Sequence, residues 1–499
     1  MHGPREERMA NQPRPLLRLK GYELLPTDED RKVEVGVYDV LLPCRKYEVA
    51  YKVAILGKVS QSLEFLLRLV KAVPGIGEES AAAFFGFEQA EIGYVLNEAT
   101  GPGFVERREG RLWLTSAGDA LFREGADNPA IYTVEERRRD LGFDLLAIAP
   151  QPPRAIDSVE MSLPELPIAD PAGTGKVGDR IFERFSRFFH ELAERRDREQ
   201  IQQRDLYSVD RVAPKDRFQV PVRVRIFAQA SAPSLPEIDL GSWRAEYEIS
   251  DRPQIESAAA MLVDDLKVNG KQVGALQAYE VLAELAPDFL KEFVTRGGLN
   301  VNRYWREAVG RAGEPRADRK TVPVIGPLYT EANARRFLEV VDYGLRGGAE
   351  QPEFVFSVAP QTRLWGASTQ QRDTLSYLRR GIAAAAPAST NELRAVCLFP
   401  GKSAWFIDRT FDEVLGADSS DIPPALEILI VPHIAVAALV HAPIGASSGY
   451  AVPLGWASFD EGIVARTQTF AADRLWPFTR EPNLHARLVD ALQSRAVSE

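Results

Sequence analysis

The 499-residue chain is 45% hydrophobic and 26% charged with a mean hydropathy of -0.21, the composition of a soluble globular protein with room for about two to four domains. Its net charge of -10 excludes a surface that coats nucleic acid everywhere, but leaves room for a local basic patch. The longest apolar run, Ala425 to Val440, is broken by Glu427, Pro432 and His433 and falls short of the roughly 20 residues a bilayer span needs.

In chain order, residues 1–30 read as a disordered tail with no apolar segment resembling a signal peptide. Val33, Val35 and Val37, then Val49, Tyr51, Val53 and Ile55, alternate as strands do, and a small sheet packed on the following helices is expected. An apolar helix from Leu63 to Val70 ends at Pro74-Gly75, and a second runs from Glu78 to Phe85 and stops at Gly86, a left-handed cap. A third runs from Glu88 to about Asn97 with Ile92, Val95 and Leu96 facing inward. Phe104–Arg108 and Arg111–Thr115 form a hairpin through Glu109-Gly110, and Thr115 caps a closing helix carrying Ala117, Leu121 and Phe122.

This succession over about residues 63–125 resembles the winged helix-turn-helix. In such a module used on DNA, the third helix enters the major groove and needs donors and positive charge. Here that helix carries Glu88, Glu91 and Glu98 and neither Lys nor Arg. The wing carries Arg107, Arg108 and Arg111, with Lys58, Arg68 and Lys71 upstream. These six cations are the candidate nucleic-acid contacts, and the three glutamates the candidate contacts to a protein partner. Double-stranded DNA and protein docking, including a second copy of this chain, both remain open as uses of the module.

Beyond it, residues 126–175 are rich in proline and read as an extended connector. Val177 to Arg204 is a helix with Ile181, Phe182, Phe185, Phe188, Phe189 and Leu192 on its apolar side and Arg180, Arg184, Arg187, Arg195, Arg196 and Arg198 on the rest. That basic side is a solvated face or a phosphate-binding one. Strands at Phe218–Ala230 and Trp243–Ile249, then helices from about 254 to 311, make residues 176–350 an α+β middle domain. Strands and helices then alternate from 353, with strands at 353–358, 393–399, 426–431 and 435–441, predicting an α/β C-terminal domain over 351–480 and a last helix in 481–499. The expected fold class is therefore multidomain, α+β and α/β, with a winged helix, an α+β middle domain and an α/β C-terminal domain.

Candidate chemistry fails on its spacing. Gly173-Thr174-Gly175-Lys176 lacks the first glycine and the hydroxyl of a phosphate loop, Asp170 and Val177 standing there instead. Gly75-Ile76-Gly77 has no preceding strand and no third glycine in place. Gly445-Ala446-Ser447-Ser448-Gly449 spells a nucleophile elbow at Ser447, but extended chain follows it where a helix is required. Cys44 and Cys397 are far apart and the five histidines are scattered, so neither a disulfide framework nor a metal or cofactor site is expected.

The run from Ile430 to Phe459 resembles one half of a phospholipase-D-type domain. The resemblance implies His433 as nucleophile, while Ala435, Val440, Trp456 and Ser458 replace the family's Lys, Asp, Ser and Asn. Its charge stabilisers are gone, which predicts no phosphodiester cleavage. The sequence therefore reads as a cytoplasmic, non-catalytic, DNA-associated or complex-forming subunit of a prokaryotic genome-defence or DNA-processing system. The competing readings are a transcriptional regulator with a ligand-sensing C-terminal domain and a nuclease or phosphodiesterase with an unrecognised site.

Overall fold

The computed structural model describes residues 31–56, 60–122, 128–129, 132–168, 177–193, 204–241, 253–310, 313–346, 351–385 and 393–493. The expected tail at 1–30, Lys58, Arg195, Arg196, Arg198 and the expected strand Trp243–Ile249 lie outside them.

The alternation of valines from residue 33 does make strand, but one strand of 25 residues, β1 (Lys32–Leu56). Between it and the next long strand, residues 60–122 fold as a small module. It contains α1 (Gln61–Ala72), β2 (Ile76–Gly77), α2 (Glu78–Phe85), α3 (Gln89–Thr100), β3 (Val105–Arg108), β4 (Arg111–Leu114) and the one-turn α4 (Ser116–Asp119). The chain then re-enters the large sheet as β5 (Tyr132–Asp144), where an extended connector was expected. Helices α5 (Val177–Arg187) and α6 (Phe189–Ala193) follow, then β6 (Arg204–Gln229) and β7 (Ala232–Asp239).

These strands form a four-stranded antiparallel sheet in the order β5-β1-β6-β7. β1 is therefore no small sheet on the helical module: its partners lie at 132–144 and 204–229. Alternation identifies a strand and its buried face but does not name the strand opposite. Register shifts at Glu34/Gly36, Arg45/Tyr47, Ala50/Tyr51 and Lys52/Val53 mark β-bulges along the pairing with β6.

The sheet serves two cores. Its far end buries Tyr47, Val49, Tyr51 and Val53 under Ile181, Phe185 and Phe189 of the two helices. Its near end sends Val35, Val40 and Leu42, with Val222, Val224 and Ile226, into the main core.

That core is built on a seven-stranded mixed sheet in the order 321–325, 452–458, 435–442, 426–431, 354–358, 394–400, 413–417. The first four junctions are antiparallel, and the last two are parallel. The expected strands at 353–358, 393–399, 426–431 and 435–441 are all in it, and most of their side chains are buried on both faces. Thr321–Ile325, which the sequence placed in a separate middle domain, is this sheet's edge strand, paired with Val452–Ser458. Helices Pro253–Asp264, Ala275–Leu285 and Val301–Gly310 cover one face, burying Leu262, Leu282, Tyr304 and Trp305. Helices Glu331–Leu345 and Thr369–Ala385 cover the other with Phe337, Val341, Leu378 and Ile382. The result is a mixed helix-and-sheet protein with several sheets.

Candidate interaction surface

The module at 60–122 is positioned by its own core. Leu63, Leu66, Leu67 and Val70 of α1 pack on Ile92, Val95, Leu96 and Ala99 of α3, with Val105 and Leu112 of the hairpin closing the cluster. The small sheet has the order β2-β4-β3, so β4 is central. Glu109 and Gly110 at the hairpin tip have φ of 51° and 69°, the left-handed pair that a two-residue turn demands. Gly86, at φ 69°, ends α2 as its position implied.

The three candidate glutamates have work inside the module. Glu88 is the N-cap of α3, and its backbone N–H donates to Glu91 Oε2 at 2.9 Å in a reciprocal capping box. Glu98 reaches back to the start of α1, where the Ser60 hydroxyl donates to it at 2.5 Å. Ser60 Oγ in turn accepts the Leu63 N–H at 3.1 Å. Glu98 thus braces α3 against the N-cap of α1.

The candidate cations are likewise engaged. Arg107 pairs with Glu78 at 3.1 Å and Arg108 with Glu106 at 2.5 Å. Arg111 Nη1 donates to the Gly75 carbonyl at 3.3 Å. Arg68 lies 3.9 Å from Glu64, and Lys71 sits 3.9 Å over the Phe122 ring. The hairpin sets Arg108 directly opposite Arg111, while Arg107 lies opposite Leu112 on the other face of the strand. Arg68 and Lys71 lie apart from them on α1.

The module also presents two large aromatic side chains outward, among exposed charges. Phe84 of α2 is 69% exposed and Tyr94 of α3 is 78% exposed. Gln89, Ala90, Glu91, Asn97 and Glu98 share the solvent side of α3 with Tyr94. Nine carboxylates against five cations make residues 60–122 net acidic. Sequence reading missed Phe84 and Tyr94 because an aromatic at helical spacing ordinarily belongs to the core. The signal was there: Tyr94 falls outside the stripe set by Ile92, Val95, Leu96 and Ala99.

Elsewhere, polar groups concentrate at three places. A cleft of about 1050 Å³ is floored by Phe289, Phe293 and Tyr304 and rimmed by charges of both signs, among them Asp288, Glu292, Arg319 and Lys320. Lys320 lies 3.9 Å from Asp460 there. Inside the seven-stranded sheet, His441 Nε2 meets Glu427 Oε2 at 2.5 Å, both buried, on diagonal positions of neighbouring strands. Where the two large sheets meet, Tyr38 and Tyr450 share a 3.0 Å hydrogen bond, and burial pushes the Tyr38 hydroxyl up to about 12.

His433 is not on a strand. It occupies the turn between Val431 and Ala435 at φ 62°, its N–H donating to Gln468 Oε1 at 3.1 Å. Ser447 is exposed in a loop that leads into the strand Ser448–Tyr450, without the helix an elbow needs. Among the described residues, no three His, Cys, Asp or Glu converge as a metal site would. No described helix is long and apolar enough to cross a membrane. Compared with protein-family models, curated proteins and solved structures, the chain matches none.

Proposed function

We propose that this chain is a non-catalytic, complex-forming subunit whose residues 60–122 are a winged-helix module that docks on a basic protein surface. The observation that carries this reading is the outward face of α3: Tyr94 at its centre, with Phe84 exposed on α2. A major-groove helix needs cations and base-edge donors, and α3 supplies no cation. Exposed aromatics on a preformed face are what protein interfaces select, and the net acidic surround favours encounter with a basic partner. The hairpin arginines support the same choice, since Arg107 and Arg108 already hold carboxylates.

The test is to purify the full chain from its native host as wild type, as Phe84→Ser/Tyr94→Ser, and as Arg107→Ala/Arg108→Ala/Arg111→Ala. Docking through the aromatic face predicts that a stoichiometric partner with a basic surface is lost from the first variant and kept by the second, with both melting like wild type. A module that instead shifts duplex DNA, and loses that shift in the arginine variant alone, overturns the proposal.

A further inference from the structure

The cleft of about 1050 Å³ beside the seven-stranded sheet is large enough for a bound molecule, and docking through residues 60–122 leaves it unused. Its floor is a fixed aromatic bed. Phe289 and Phe293 stand edge-on to Tyr304, their ring centroids 6.2 Å and 5.1 Å from it, and the Tyr304 hydroxyl donates to the Gly455 carbonyl at 2.5 Å. Phe293 and Tyr304 are buried and Phe289 is half-buried, so the Phe289 ring is the part of the bed that an occupant meets.

The rim above this bed is charged unevenly. Five carboxylates line the cleft against three cations, and the cations already have partners. Lys320 lies 3.9 Å from Asp460, Arg466 Nε donates to the Leu285 carbonyl at 3.0 Å, and Arg319 is likewise engaged. Asp288 and Glu292 differ. They stand one turn apart, on the short helix Pro287–Leu290 and the 3-10 turn Lys291–Phe293 that continues it. Both are exposed, and among the described residues neither carboxylate has a hydrogen-bond or ion-pair partner. Arg303 comes near, 5.6 Å over the Phe293 ring, but it donates to the main-chain carbonyl of Glu292 at 2.8 Å rather than to the side chain. An aromatic ring and two unneutralised carboxylates therefore line one opening.

We propose that this cleft binds the cationic end of an aliphatic chain, an alkylammonium or a guanidinium, with its charge at Asp288 and Glu292 and its stem along Phe289. Such a cation gains charge-assisted hydrogen bonds from the carboxylates and attraction to the ring face, while its methylenes cover apolar surface. An anion fits less well, because the unneutralised charge of the rim is negative. A peptide added as a further strand also fits less well: the edge strand Thr321–Ile325 contributes Pro323 to the cleft, and Pro has no N–H to donate. The same chemistry belongs to a Lys or Arg side chain of a protein segment and to a free polyamine.

The experiment titrates the full chain by calorimetry at physiological salt, with spermidine and separately with an N-acetylated tetra-arginine amide. The variants are Asp288→Asn/Glu292→Gln, Phe289→Leu and the control Glu280→Gln/Glu284→Gln. The control pair is also exposed and one turn apart, on the helix Ala275–Leu285, but does not line the cleft. The wild type is expected to bind, and Asp288→Asn/Glu292→Gln to weaken binding about tenfold while melting like wild type. Phe289→Leu is expected to weaken it about threefold, and the control to leave it unchanged. Binding of the peptide alone assigns the cleft to a protein segment, and binding of spermidine alone assigns it to a polyamine. A wild-type chain that binds neither probe, or an affinity unchanged in Asp288→Asn/Glu292→Gln, overturns the proposal. So does an equal loss in the control, which general attraction to an acidic protein would produce. Because Phe84 and Tyr94 are untouched, its failure is distinct from failure of the docking reading.

Discussion

Asp39 and Arg223 face each other across β1 and β6 as a two-pronged ion pair, Nε to Oδ1 at 2.7 Å and Nη2 to Oδ2 at 3.1 Å. Asp39 is 4% exposed, and its second oxygen also accepts the Thr369 N–H at 2.7 Å and the Ser368 hydroxyl at 2.9 Å. The carboxylate thus sits at the N-terminus of the helix Thr369–Ala385, where it accepts the first backbone N–H. One side chain ties the long sheet to the helical cover of the other.

Removing it should be expensive. Asp39→Ala leaves a part-buried guanidinium and a helix N-terminus without their shared acceptor, and is expected to destabilise the fold by about 3–5 kcal/mol. Chemical denaturation of the purified variant checks this. A midpoint close to wild type would mean that the two sheets are held by apolar packing alone.

Gly75 has φ +79°, and a Cβ placed there would lie 2.6 Å from the Trp113 ring. Gly75→Ala therefore meets both a left-handed backbone and a ring that β4 holds in place. We expect a loss above about 1 kcal/mol, confined to residues 60–122. Hydrogen exchange resolved along the chain should show faster exchange there, with the seven-stranded sheet unchanged.

Reversing Glu88 and Glu91 to Lys would test a docking surface poorly. Their capping box makes each reversal an attack on the start of α3, and Glu91→Ala alone is expected to cost about 0.5–2 kcal/mol. A thermal melt of the variant measures this directly, and an unchanged melt would leave both glutamates as plain surface charge.

Asp157 is depressed below its ordinary value: burial raises it, but the Glu160 N–H and the Arg372 guanidinium, 2.6 Å away, outweigh that. A carboxylate lowered in the folded state stabilises above its unfolded pKa of about 3.9, and the contribution is lost as pH falls through the folded value. Asp157→Asn should therefore lie below wild type near neutrality and converge with it in strong acid. Stability measured from pH 7 downward tests the sign; a gap that widens in acid would contradict it.

How far the sequence could be read depended on the range of the forces involved. Much of the helical module was legible, because its signals are local: Gly86 ends α2, Glu109-Gly110 makes the turn, and Thr115 Oγ1 caps the next helix by accepting the Gly118 N–H at 3.0 Å, although that helix is one turn and leaves Leu121 and Phe122 beyond its end. The burial of Leu426–Val431 and Ala435–Ala442 was legible from their continuous apolar runs. The partners of β1 were not, since pairing Val37 with Arg225 leaves no mark near either residue. Nor could spacing show that Arg107 and Arg108 face carboxylates, because Glu78 arrives from another element and Glu106 only after the strand sets its side-chain directions.

The distance between Asp39 and Arg223, 184 residues along the chain, also sets a timetable. At about 5–20 residues per second, β1 leaves the ribosome roughly 10–40 s before β6 follows it. β5 comes first and can zip the half from Cys44 to Leu56 into a hairpin. The other half, with Val35, Val37 and Val40, waits unpaired with an apolar face uncovered. A nascent chain stalled in that interval presents a sticky strand edge, so the yield of folded protein should depend on how quickly synthesis passes residue 229 and on what shields β1 until then.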